Sequence, residues 1–153
     1  MRVTLLLCDH ATVAEGKLYI SGGGWNMTAP VPSPSAVALL VSVPWDQANM
    51  RHEIRMWLER QDGERVERVD EFGRTVPIQL DGNFEVGRPP GVLSGTPLDV
   101  PIALLIPPLP LQPGGRYRWV LEVDGRTQED WNLPFSVRPN PEHGTGPAAL
   151  PGF

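Results

Sequence analysis

Short runs of alternating apolar and polar residues recur along the chain, separated by clusters of glycine, proline, aspartate and asparagine. That pattern predicts strands joined by turns. Glu53–Arg60 places Ile54, Met56 and Leu58 on one face and Glu53, Arg55, Trp57 and Glu59 on the other. Leu98, Val100, Ile102, Leu104 and Ile106 share one phase; Tyr117, Trp119, Leu121 and Val123 share another; Trp131, Leu133, Phe135 and Val137 a third. Further strands are expected at Val3–Asp9, Lys17–Gly22, Ala36–Val43, Thr75–Leu80 and Asn83–Val86, with Glu64–Asp70 returning from a hairpin at Asp62-Gly63. Residues 10–16, Thr28–Ser35 and Gly87–Gly95 are expected to be loops, and Pro44–Asn49 one helical turn. Pro134 marks its strand as an edge or a poorly paired one. Eighteen prolines leave little room for ordinary helices.

The pattern predicts an all-β fold over residues 1–138, a two-layer antiparallel β-sandwich of immunoglobulin-like or jelly-roll-like type. Its expected core is Ile54, Met56, Leu58, Leu98, Val100, Ile102, Tyr117, Trp119, Leu121, Leu133 and Phe135. Residues 139–153 hold four prolines and three glycines. They read as an extended C-terminal arm that docks Leu150 and Phe153 into an apolar groove.

Two strands break the alternation. Leu5 and Leu7 face one way in Val3–Cys8 while Leu6 and Cys8 face the other. Val37, Leu39 and Val41 oppose Ala38 and Leu40 in the same manner. One face of an antiparallel sheet usually meets water, so the chain's own loops or a partner must cover the second face.

Charge and composition narrow the classes. The formal charge is −5 and the arginines alternate with acids, so the basic footprint of a nucleic-acid binder is missing. The one cysteine, Cys8, allows no intrachain disulfide. The apolar run after Met1 ends at Asp9, too short for a signal peptide. No run approaches a membrane span. These features lead us to expect a cytoplasmic protein, or part of a virion or similar particle assembled in the cytoplasm.

The segment Leu111-Gln112-Pro113-Gly114-Gly115-Arg116-Tyr117 is similar to the tyrosine corner of immunoglobulin-like sandwiches, where a Tyr hydroxyl bonds to upstream backbone. Catalytic candidates are few. Cys8 and His10 share a face if their strand continues, but a nucleophile needs a base within reach and an orienting third group. Cys8 at the end of an apolar run is expected to be buried and inert. Cys8, His10, His52 and His143 lack zinc-like spacing. Gly22-Gly23-Gly24 precedes no helix, so it is a turn rather than a phosphate loop. No catalytic residue, metal or cofactor is expected.

Recognition is better served by the aromatics. Trp119 and Trp131 fall on core phases, whereas Trp25, Trp45 and Trp57 sit in loops, at strand ends or on a charged face. Together with Arg88, Val92 and Leu93 of the proline-stiffened loop, and Leu150 and Phe153 of the arm, they form the candidate interface.

Four segments also carry a resemblance: Glu15–Trp25, Val43-Pro44-Trp45 with Ala48-Asn49, Phe84–Gly91, and Leu109–Trp119. They resemble an uncharacterised domain family of bacteria and phages, over about residues 8–138. That resemblance implies no activity. The sequence therefore points first to a non-enzymatic structural or interaction module, a subunit of a larger assembly such as a phage-like particle (capsid decoration or tail-associated). Its partner would be protein, through self-association or assembly. A carbohydrate-binding module using exposed Trp is the alternative, and a small enzyme around Cys8 and His10 the third.

Overall fold

The computed structural model describes residues 1–141, and within them the fold is all-β. Eleven strands follow in order: β1 (Arg2–Ala14), β2 (Lys17–Gly23), β3 (Met27–Thr28), β4 (Ser35–Val43), β5 (His52–Arg60), β6 (Glu67–Val69), β7 (Thr75–Pro77), β8 (Gln79–Phe84), β9 (Leu98–Ile106), β10 (Arg116–Val123) and β11 (Asn132–Val137). One 3-10 turn, Trp45–Gln47, lies between β4 and β5. One sheet has the order β2-β1-β4-β9, the second β3-β11-β10-β5-β8, and β6 and β7 form a separate two-stranded ribbon.

The two sheets form the expected sandwich. Leu39, Met56, Leu58, Leu121, Val37, Val41 and Val43 are fully buried between them. Ile54, Leu98, Tyr117, Trp119 and Phe135 are buried as expected. Val100, Ile102 and Leu133 keep the predicted phase but are only half-buried. For Val100 and Ile102 the cause is their place on β9, which ends its sheet and has a neighbour on one side alone.

Three local expectations change. β1 does not stop at Asp9 but runs on to Ala14, where Glu15 and Gly16 turn the chain with φ of 51° and 71°. Two left-handed residues make the tight hairpin turn that suits the twist of the strands. A glutamate in the first position hides that signal from a search for Asn-Gly or Asp-Gly. Second, the strand leaving Asp62-Gly63 keeps only one bridge to β5, Glu59 to Arg65, and then departs as the ribbon. Third, the sandwich is not wholly antiparallel, because the two residues of β3 pair in parallel with β11.

The doubly apolar strands find part of their cover within the chain. Leu7 and Cys8 are both buried, Asp9 and His10 both exposed, and Ala11 buried again. The burial phase of β1 thus switches at Asp9, opposite Gly22 at φ 59°. A Cβ at Gly22 would displace the exposed Asp9 side chain, and the positive φ itself calls for glycine there. Beyond this point the β1–β2 hairpin curls over the outer face of its own sheet, and β1 and β2 both approach β9. Cys8, Ala11, Ala36 and Ala38 are buried beneath it with Leu6, Leu18 and Ala103 packed around them. Small side chains allow so tight a curl. The cover is partial: Leu105 stays 59% exposed and Leu40 38%.

Candidate functional site

The sequence-predicted interface residues do not form one patch. Trp57 points to the outer face of β5, as its phase requires, yet it is only 7% exposed. The Arg65 guanidinium lies 4.3 Å above its ring, and Trp57 Nε1 donates to Glu59 Oε1 at 2.9 Å. Arg118 bonds the other Glu59 oxygen at 2.7 Å. Burial would raise the Glu59 carboxyl, but the bonds from Trp57 and Arg118 outweigh it and hold it below its usual range. Trp57 is thus part of a roofed polar cluster, which corrects its assignment to the open surface. A period-2 pattern gives the face of a side chain but not what folds over it.

Trp45 and Arg88 are brought together. Arg88 Nη2 donates to the Trp45 carbonyl at 2.7 Å, and the guanidinium stacks 4.7 Å from the Trp45 ring. The guanidinium therefore folds back onto its own domain. Val92 is half-buried and Leu93 is 79% exposed, so of the loop's two apolar candidates only Leu93 stands in solvent. Trp25 meets Phe135 edge to face at 6.1 Å, and its buried Nε1 has no hydrogen-bond partner among the described residues. It lines a cavity of about 60 Å³ with Trp119, Phe135, Ile106, Leu109 and Leu111. Leu150 and Phe153, and the arm's docking, lie outside the described residues.

Cys8 and His10 do not converge. The Cys8 thiol is wholly buried and donates to the Ala36 carbonyl at 3.4 Å, whereas His10 is exposed. Burial, with a smaller push from the Asp9 charge, raises the thiol pKa, which keeps the unreactive thiol form.

The constellation that sequence reasoning missed is His52 with Asp124. His52 opens β5 at 2% exposure and stacks on Phe84 at 5.2 Å. Its Nδ1 lies 2.7 Å from Asp124 Oδ2 and its Nε2 lies 2.9 Å from the Gln47 carbonyl. Both nitrogens face acceptors, an arrangement fully satisfied by the imidazolium, which donates from both. Burial alone would lower the imidazole pKa, but Asp124 and the Gln47 carbonyl together raise it above the ordinary value. Asp124, at φ 52°, also accepts from the Glu53 N–H at 2.9 Å. Burial would raise this carboxyl too, and His52 with the Glu53 amide holds it down. The pair ties the start of β5 to the end of β10 and the 3-10 turn. It resembles a catalytic dyad in composition, but the ring is buried and no nucleophile among the described residues is hydrogen-bonded to it. A lone His 72 residues from its Asp gives no spacing signal.

The most exposed aromatic among the described residues lies elsewhere. Phe72, at the tip of the β6–β7 ribbon, is 72% exposed. Asp70 Oδ1 accepts from the Phe72 and Arg74 amides at 2.9 and 2.8 Å, and Oδ2 accepts from Arg74 Nε at 2.9 Å. Gly73 completes the turn at φ 76°.

The geometry defines a β-sandwich domain whose buried polar groups hold strands together and whose outer surface keeps apolar side chains in solvent. The chain belongs to DUF6941, a family of unknown function whose pattern matches residues 3–138. No curated protein matches it. No solved structure matches it. No helix among the described residues is long and apolar enough to cross a membrane.

Proposed function

We propose that this chain is a non-enzymatic interaction module that binds protein, chiefly copies of itself, as a subunit of a larger assembly. The observation that carries the reading is the outer face of the β2-β1-β4-β9 sheet. Its own hairpin covers the small residues, but Leu40 on β4, Ile20 on β2 and Leu105 on β9 remain exposed around that cover. Apolar side chains left in solvent around a partly covered apolar face favour an interaction site. The covered state of the tryptophans favours this reading over sugar binding. Trp57, Trp119 and Trp131 are buried, while Trp25 and Trp45 are half-buried, whereas sugar stacking wants open rings. The phage-like setting rests on the sequence resemblance alone.

The test is the mass of the full chain in solution across a concentration series, by sedimentation equilibrium. Association to multiples of 16.8 kDa is the expected result. A single-chain mass at every concentration, together with saturable binding to a glycan array, would replace this reading with the carbohydrate one.

A further inference from the structure

We infer that β9 is a self-pairing edge, through which a second copy of this chain adds its own β9 antiparallel and extends the four-stranded sheet. The inference rests on the self-association reading above and names its surface.

The four open edges of the two sheets differ in kind. β2 carries Lys17, Tyr19 and Ser21 and ends in glycines. β3 is two residues long. β8 reads Gln79, Leu80, Asp81, Gly82, Asn83, Phe84. Short, polar or glycine-bearing edges are how sheets avoid pairing with other chains. β9 has nine residues with a single charge, Asp99 at its second position. It is apolar on both faces: Val100, Ile102 and Leu104 lean half-buried on the core, while Pro101, Ala103 and Leu105 face outward. Among the described residues its backbone bonds run to β4 alone.

Pro101 sets the parity of the free edge. A proline in a sheet keeps its nitrogen away from the neighbouring strand. Pro101 pairs with Leu40 on β4, so Asp99, Ala103 and Leu105 turn their N–H groups outward, at the alternate positions a ladder uses. The proline removes one donor and leaves the segment after it able to pair.

The occupant must be a strand apolar on both faces, and β9 itself meets that description. Antiparallel pairing about a two-fold near Ala103 keeps the two Asp99 carboxylates about 27 Å apart, eight residues at about 3.4 Å each, so like charges do not meet. It also sets the exposed Leu105 of each copy opposite Pro101 of the other, the residue that pairs with the exposed Leu40. A two-fold contact of this kind closes on itself and gives a dimer.

Sedimentation equilibrium of the full chain, of Ala103→Pro and Leu105→Lys, and of the chain ending at Pro141 tests this. The wild type should reach twice the mass of one chain as concentration rises. Both substitutions should weaken association at least tenfold while keeping the wild-type circular dichroism and melting temperature. Proline at 103 has the parity already tolerated at 101, so β4 keeps its bonds. Concentration-dependent slowing of Ala103 and Leu105 amide exchange in the wild type checks the same surface without a mutation. If the wild type associates but these amides and both variants behave unchanged, β9 is not the interface while the assembly reading stands. If only the chain ending at Pro141 pairs, the arm fills the edge and the inference is overturned. If no form associates, both readings fall.

Discussion

At the scale of single residues, His52 is where burial and charge compete. Its folded pKa lies above the ordinary 6.5 because Asp124 and the Gln47 carbonyl outweigh desolvation. The charged ring therefore contributes stability that is complete below about 6.5, the unfolded value, and is lost as pH rises through the folded pKa. Asp124 is depressed, so its contribution is present above the usual carboxylate pKa and is lost as pH falls through the folded one. The pair is at full strength between about pH 4 and 6.5. His52→Leu should cost about 1–3 kcal/mol at pH 6, since it leaves the Gln47 carbonyl without its donor, while water can reach the freed oxygen of the partly exposed Asp124. Urea melts from pH 5 to 9 check it: the wild type should weaken towards alkaline pH, and the gap to the variant should narrow. A gap that stays constant would remove the charge from the account. The thiol of Cys8 should react with a thiol reagent at neutral pH only as fast as the domain opens, and immediately in denaturant, because burial keeps it protonated and unreachable.

At the scale of elements, the β6–β7 ribbon shows rigidity without burial. Its roots, Val66 and Ile78, are buried against Leu58, and its tip is held chiefly through Asp70. Asp70→Ala should release the turn. The Gly73 and Arg74 amides should then exchange faster, while the melting temperature of the sandwich changes little, because exposed side chains away from the core contribute little to global stability. Equal loss of protection in β5 would show that the ribbon is part of the cooperative unit. The tyrosine corner is a second held element. The Gln112 N–H donates to the Tyr117 hydroxyl at 2.9 Å. A Cβ at Gly115 would lie 2.8 Å from the Tyr117 ring, so the second glycine of the pair leaves room for the ring.

At the scale of the molecule, the two sheets share one core. Trp119 sits between Leu58 and Leu133 in register and is buried. Trp119→Ala should cost about 3–5 kcal/mol, and calorimetry should still show one transition, because both sheets lose the same contact. Two separated transitions would mean that the sheets melt independently.

The sequence by itself determined the strands that bury one face, the turn built on Asp62-Gly63, the tyrosine corner and the membership of Trp119 and Trp131 in the core. Each is written locally, in a period of two residues or in a turn that needs a left-handed backbone. Tertiary structure decided what lies over a face. Trp57 is on the side its phase predicts and Trp45 lies in the expected helical turn, and distant arginines, Arg65 and Arg88, close over them. Cys8 is buried because its own hairpin bends at Gly22, and Val100 and Ile102 stay half-covered because β9 falls at an edge. His52 found Asp124 only because β5 and β10 are neighbours. Pattern along a chain fixes the direction of a side chain, whereas burial, partners and pKa depend on strands that are remote in sequence and adjacent in space.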